Sequence, residues 1–104
     1  MQFDESANGQ IARVKPNEFF EIVLAEVRTA GYRWTLKGGP ENQCTLVEEK
    51  SIPSAGAHGG AGKHHWRFRA TASGSCQIDL QYGRTWEKSS EPAKTFQLKV
   101  EVRP

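Results

Sequence analysis

Three histidines, two cysteines and two adjacent glutamates are the residues of this chain that could do covalent or metal chemistry. His58, His64 and His65 stand close together. Neighbouring residues on an extended strand point to opposite faces, so His64 and His65 do not share a tetrahedral ion with only His58 added. Cys44 and Cys76 lack metal-site spacing, and both fall on inward positions of alternating segments, far in sequence from the histidines. A thiolate–imidazole pair is therefore not expected. Glu48 and Glu49, followed by Lys50, read as a solvated strand edge. With no nucleophile beside a base and no paired carboxylates in a loop, the sequence speaks against an enzyme and implies neither metal nor cofactor.

The chemistry on offer is that of binding. Residues 53–66, Pro-Ser-Ala-Gly-Ala-His-Gly-Gly-Ala-Gly-Lys-His-His-Trp, carry four glycines and no bulky apolar side chain in their first ten positions. A loop this long in a compact domain is usually functional or disordered, and its glycines let another backbone approach closely. Two further stretches carry the side chains that most often dominate binding. One is Gly83-Arg84-Thr85-Trp86. The other, residues 27–31, reads Val-Arg-Thr-Ala-Gly. We expect these three stretches to form one protein-binding edge, with the glycine-rich one at its centre.

The elements that must hold them are strands. Apolar and polar residues alternate with period two, the primary signal of a half-buried strand. Ile11 and Val14 mark a weak first strand. Phe20, Ile22 and Leu24 share a face of the second, and Tyr32, Trp34 and Leu36 a face of the third. Cys44 and Leu46 give a less regular fourth, because Val47 points the other way. Trp66, Phe68, Ala70 and Ala72 line the fifth; Cys76, Ile78, Leu80 and Tyr82 the sixth; Phe96, Leu98, Val100 and Val102 the seventh. No segment keeps a 3.6 period long enough for a helix. About seven short strands with turn signals between them predict an all-β, immunoglobulin-like antiparallel sandwich.

If successive strands run in opposite directions, alternate connections gather at opposite ends. The turns at 15–17, 38–40 and 73–75 are short and rich in glycine, proline, asparagine and serine. Those at 25–31, 52–64 and 83–94 are longer and carry arginine, tryptophan, histidine and most of the loop glycines. One end closes tersely and the other is elaborated, as expected where a rigid scaffold carries binding loops. Trp34 and Trp66 fall on inward faces and are assigned to the core, and Tyr32 is assigned to packing. Trp86 stands in a loop and is assigned to binding.

The chain of 104 residues fits one domain spanning 1–104, with residues 1–9 expected as a flexible N-terminal segment. It is 37% hydrophobic and 25% charged, an ordinary globular composition. A net charge of +2, with basic and acidic residues interleaved, does not argue for nucleic acid. No apolar run reaches the roughly 20 residues that span a bilayer. The N-terminus shows no secretory signal, so a cytoplasmic location is expected unless a signal has been removed. Cys44 and Cys76 are expected as buried thiols, with a bridge between them as the alternative.

Three segments resemble the signature of chagasin-type inhibitors of cysteine peptidases. Thr29-Ala30-Gly31-Tyr32-Arg33-Trp34 is similar to the family's Asn-Pro-Thr-Thr-Gly-Tyr-x-Trp. Gly59-Gly60-Ala61-Gly62, before His65-Trp66, looks like its glycine-rich loop, with Gly56-Ala57-His58-Gly59 as the competing register. Arg84-Thr85-Trp86, after Leu80-Gln81-Tyr82, is similar to its Arg-Pro-Trp. The three occur in the family's order, and the likeness runs from about Lys15 to Val102. Two prolines of the family pattern are missing here, which removes a φ lock from each of two loops. The resemblance implies a reversible, tight-binding inhibitor of papain-like cysteine peptidases that is monomeric when free. It also implies a contact set of Thr29, Ala30, Gly31, Gly59, Gly60, Ala61, Gly62, Arg84, Thr85 and Trp86. The glycine-rich loop would lie over the peptidase's catalytic cysteine while the outer two grip the cleft walls. The alternative is an immunoglobulin-like module that binds another protein or a carbohydrate through the same loops.

Overall fold

Alternation in the sequence becomes, among the described residues, eight strands in two layers in a computed structural model of the chain. The structure describes residues 1–27, 32–38, 43–53, 61–84 and 94–104. The strands are β1 (Gln2–Phe3), β2 (Ile11–Val14), β3 (Phe19–Val27), β4 (Tyr32–Gly38), β5 (Cys44–Pro53), β6 (Ala61–Ala70), β7 (Gly74–Arg84) and β8 (Lys94–Val102). One sheet has the order β1-β3-β6-β5 and the other β2-β8-β7-β4. β1 joins β3, and β2 joins β8, in parallel; every other pairing is antiparallel.

The inward set matches the alternation. Phe20, Ile22 and Leu24 of β3, Trp66, Phe68 and Ala70 of β6, and Phe96, Leu98, Val100 and Val102 of β8 are buried. Phe20 stacks on Phe68 with ring centroids 5.2 Å apart. Each fully buried side chain of this size contributes about 1.5–3 kcal/mol of transfer free energy, so the interface between the sheets is the stabilising centre of the molecule. Ala72 departs from the expected pattern. β6 ends at Ala70, and Ala72 is exposed in the turn before Gly74, whose φ of +129° favours glycine.

The irregular fourth strand has a physical cause. The pairing of β5 with β6 shifts register between Leu46 and Glu48, leaving Val47 unopposed and 47% exposed. Such a bulge turns one residue out of the alternation and twists the strand.

Residues 1–9, expected as a flexible N-terminal segment, pair with the sheets in the structure. Gln2 and Phe3 pair with Glu21 and Ile22, and Phe3 packs edge-on against Phe20. Asp4 caps a 3-10 turn at Glu5–Ala7 by accepting the Ser6 N–H at 2.9 Å. The Glu5 carboxylate accepts the Ala25 N–H at 2.5 Å, and Asn8 Oδ1 accepts the Gln97 N–H at 2.8 Å. A two-residue strand has no period to read, so alternation could not reveal it. The expected first strand at Ile11–Val14 forms as β2 in one sheet, and β1 is an additional strand in the other.

Cys44 and Cys76 are buried thiols with Sγ atoms 2.7 Å apart, one from each sheet. The contact with Cys76, together with burial, pushes the Cys44 thiol well above its ordinary pKa. A thiol so held is a poor nucleophile.

Candidate functional site

Strand ends locate the candidate edge. Val27, where β3 ends, pairs with Ala61, where β6 begins. Pro53, where β5 ends, pairs with Gly62. Tyr32, where β4 begins, pairs with Arg84, where β7 ends, and Tyr82 pairs with Lys94 at the start of β8. The segments 28–31, 54–60 and 85–93 are therefore all anchored at one rim. The first joins a strand of one sheet to a strand of the other. The second joins neighbours in the first sheet, and the third joins neighbours in the second. At the opposite rim the chain closes tightly: Asn17, with a φ of 70°, donates its N–H to Ala70 O at 2.7 Å, and Thr71 N–H meets Gln43 O at 2.8 Å.

Of the expected contact residues, Thr29, Ala30, Gly31, Gly59, Gly60, Thr85 and Trp86 lie outside the described residues. So does the expectation that the glycine-rich stretch is central. Ala61, Gly62 and Arg84 are described, and they depart from the loop assignment. Gly62 is paired on both sides, with Glu26 of β3 and Pro53 of β5, and Arg84 is paired with Tyr32. Glycine is depleted in strands and so reads as loop, yet the ladder here runs to Ala61. Pro53 is tolerated because it ends the edge strand of its sheet.

Beneath the rim lies a polar cluster. Glu26 is 2% exposed. Its Oε2 accepts the Trp34 backbone N–H at 2.9 Å and lies 2.8 Å from His64 Nδ1, while its Oε1 accepts the Ser51 hydroxyl at 2.8 Å. The other ring nitrogen of His64, Nε2, is 2.7 Å from Glu49 Oε2. The imidazole stacks flat on Trp66, with centroids 4.0 Å apart and planes inclined by 6°. The Trp34 indole N–H crosses between sheets to Ala25 O at 2.9 Å. Burial alone would raise the carboxyl pKa of Glu26. The Trp34 N–H, the His64 contacts and the Ser51 hydroxyl outweigh it and hold the group below its ordinary value.

From the sequence, Glu26 is not singled out, His64 is weighed only as a metal ligand, and Glu49 is assigned elsewhere. Glu26 continues the inward series Phe20, Ile22, Leu24, and His64 precedes Trp66 and Phe68 on the inward face of β6. The period itself was the signal that placed both inside. Glu49 was assigned to a solvated edge but reaches the buried ring of His64. Trp34 and Trp66 lie in the core as expected, at 6% and 0% exposure. Tyr32 stacks on Tyr82 at 5.6 Å, and Lys94 Nζ lies 5.6 Å from the same Tyr82 ring. That stack braces the ends of β4, β7 and β8. Among the described residues no group of three His, Cys, Asp or Glu is arranged to hold a metal ion. Each ring nitrogen of His64 already faces a carboxylate.

The sequence model described as chagasin family peptidase inhibitor I42 matches residues 13–100. Amoebiasin-1 of Entamoeba histolytica is 31% identical over 105 residues, which cover 99% of this chain and 100% of that protein. Among solved structures, the cysteine protease inhibitor EhICP2 of Entamoeba histolytica superposes with a TM-score of 0.88 at 22% identity, over 98% of this chain and 94% of that one. PbICP-C, solved in complex with falcipain-2, superposes with a TM-score of 0.65 at 21% identity, over 99% and 90% of the two chains.

Proposed function

The chain belongs to the chagasin family of peptidase inhibitors, and we propose that it blocks the active-site cleft of papain-like cysteine peptidases with the rim formed by segments 28–31, 54–60 and 85–93. The observation that carries this reading is the convergence of the strand ends at that rim. The three motif segments are non-contiguous, and only this rim can present them together. Relatives in this fold include inhibitors of cysteine proteases, and one of them was solved bound to such a target.

The physics of the edge suits the task. A protease cleft recognises extended backbone. A stretch such as Gly59-Gly60, just ahead of the ladder that begins at Ala61, offers N–H and C=O groups with no side chain to accommodate. Cleavage needs the scissile peptide at near-attack geometry, and a misplacement of about 1 Å costs a large factor in rate. A backbone held off that geometry by a rigid sandwich blocks the cleft without being cut. Trp86 is the aromatic anchor, and Arg84 pairs with an acidic group or stacks on an aromatic ring of the partner. Stems fixed in advance by paired strands lose less entropy on binding. The molecule acts as an inhibitor and not as an enzyme.

A titration of papain with the protein, read by hydrolysis of a fluorogenic peptide, tests this function. Sub-micromolar, reversible and competitive loss of activity is expected. Full activity at high molar excess would overturn the reading.

A further inference from the structure

Glu26, His64 and Glu49 come from three adjacent strands, β3, β6 and β5, just below the ends from which segments 28–31 and 54–60 depart. Glu26 is one residue from the end of β3, and His64 is three residues from the start of β6. The chemistry of the ring limits which contacts it can make as hydrogen bonds. A neutral imidazole has one N–H and can donate from one nitrogen only. Here carboxylate oxygens stand 2.8 Å from Nδ1 and 2.7 Å from Nε2. With two carboxylates present, both contacts are hydrogen bonds only if the ring is an imidazolium. Trp66, two residues along β6, covers one ring face, so the ring is shielded from water on that side. The same Glu26 carboxylate holds the Trp34 N–H, two residues into β4. One buried anion thus ties both ends of the connection that crosses between sheets.

We infer that Glu26, His64 and Glu49 form a charged clamp that fixes the stems of segments 28–31 and 54–60, and so, granted the inhibitory role proposed above, positions the edge that meets the peptidase. The three are positioning residues: they act through the stems and need not touch the partner. An apolar trio would pack the same space, but it would leave the Trp34 N–H without its acceptor and the crossing connection without its tie. Removing His64 takes the charged partner from the buried Glu26 carboxylate, and removing Glu49 takes one from the buried His64 ring, so the clamp works as a unit.

The test compares His64→Gln and Glu49→Gln with Val102→Ala, a core truncation at the opposite rim, where Val102 pairs with Gly74. Affinity for papain carboxymethylated at its catalytic cysteine is measured by calorimetry, with each variant well below its melting temperature. Exchange of the Trp34 amide and the nitrogen shifts of the His64 ring are followed by NMR in the free protein. His64→Gln should weaken binding at least tenfold and speed exchange of the Trp34 amide at least tenfold. Val102→Ala should leave both within about twofold, whatever its effect on melting. Glu49, being partly exposed, tolerates substitution, and Glu49→Gln should weaken binding threefold or more; it carries the test should His64→Gln fail to fold. Both His64 ring nitrogens in the wild-type protein should show the shifts of N–H-bearing nitrogens. Unchanged binding and exchange in the clamp variants, or a wild-type ring with one bare nitrogen, would overturn the clamp. Failure of the wild-type protein to bind papain would instead overturn the inhibitory role, while the exchange and ring measurements would still decide whether the clamp exists.

Discussion

Glu26→Gln isolates the charge of the buried cluster with little change in shape. The amide oxygen can keep the place of Oε2, facing the Trp34 N–H and His64 Nδ1, while the amide nitrogen donates to the Ser51 hydroxyl, which rotates to accept. The number of contacts is kept and the negative charge is lost. A hydrogen bond to a charged group contributes about 1.5–3 kcal/mol and a neutral one about 1 kcal/mol. Two such bonds converge on Oε2. Cheaper burial of a neutral amide offsets part of the difference, leaving a loss of about 2 kcal/mol at pH 7. In a domain of this size that lowers the melting temperature by roughly 8–16 °C. The pH dependence gives the sharper check. Glu26 has a folded pKa below its unfolded value, which is about 4.3. Its charge therefore contributes in full above that value, and the contribution is lost as the pH falls through the lower folded value. Urea unfolding of both proteins, followed by tryptophan fluorescence from pH 7 to pH 3, should show a gap that narrows once the pH drops below about 4. A gap of constant size across that range would refute the assignment of the stabilisation to the ionised carboxylate.

Other outcomes follow from the same geometry. Trp86→Ala should weaken binding to papain by about 2 kcal/mol or more, as expected of an aromatic anchor; an unchanged inhibition constant removes Trp86 from the interface. Trp34→Phe deletes the indole N–H to Ala25 O and part of a buried ring, at a combined cost of about 2 kcal/mol in denaturant unfolding; a loss under about 0.5 kcal/mol would mean the inter-sheet bond contributes nothing net. Cys44 and Cys76 should react with a thiol reagent only as fast as the protein opens, and both should titrate in denaturant; rapid labelling of the native protein would contradict their burial.

The sandwich was legible because its strands are half-buried, and a period of two is what half-burial writes into a sequence. Phe96, Leu98, Val100 and Val102 could be placed inside with no knowledge of their partners. Residues 1–9 were not legible: β1 has two residues, and its order depends on side-chain contacts such as Glu5 to Ala25 that no local pattern announces. Gly62 and Arg84 were read as loop because composition marks glycine as a breaker, while the ladder that holds them comes from neighbouring strands. Glu26 and the role of His64 were missed for the opposite reason. Glu26 obeys the period, but a charged residue on an inward face is discounted until its partners are seen, and His64 lies 38 positions from it. The three motif stretches were found by letter pattern, and strand counting put them on one rim. The strand ends agree with that placement.

The account stands most directly on where the peptidase sits. A crystal structure of the complex with papain carboxymethylated at its catalytic cysteine should show residues 28–31, 54–60 and 85–93 filling the cleft, with Trp86 against one wall. A peptidase seated on a sheet face, or on the rim that carries Asn17 and Gly74, would contradict it.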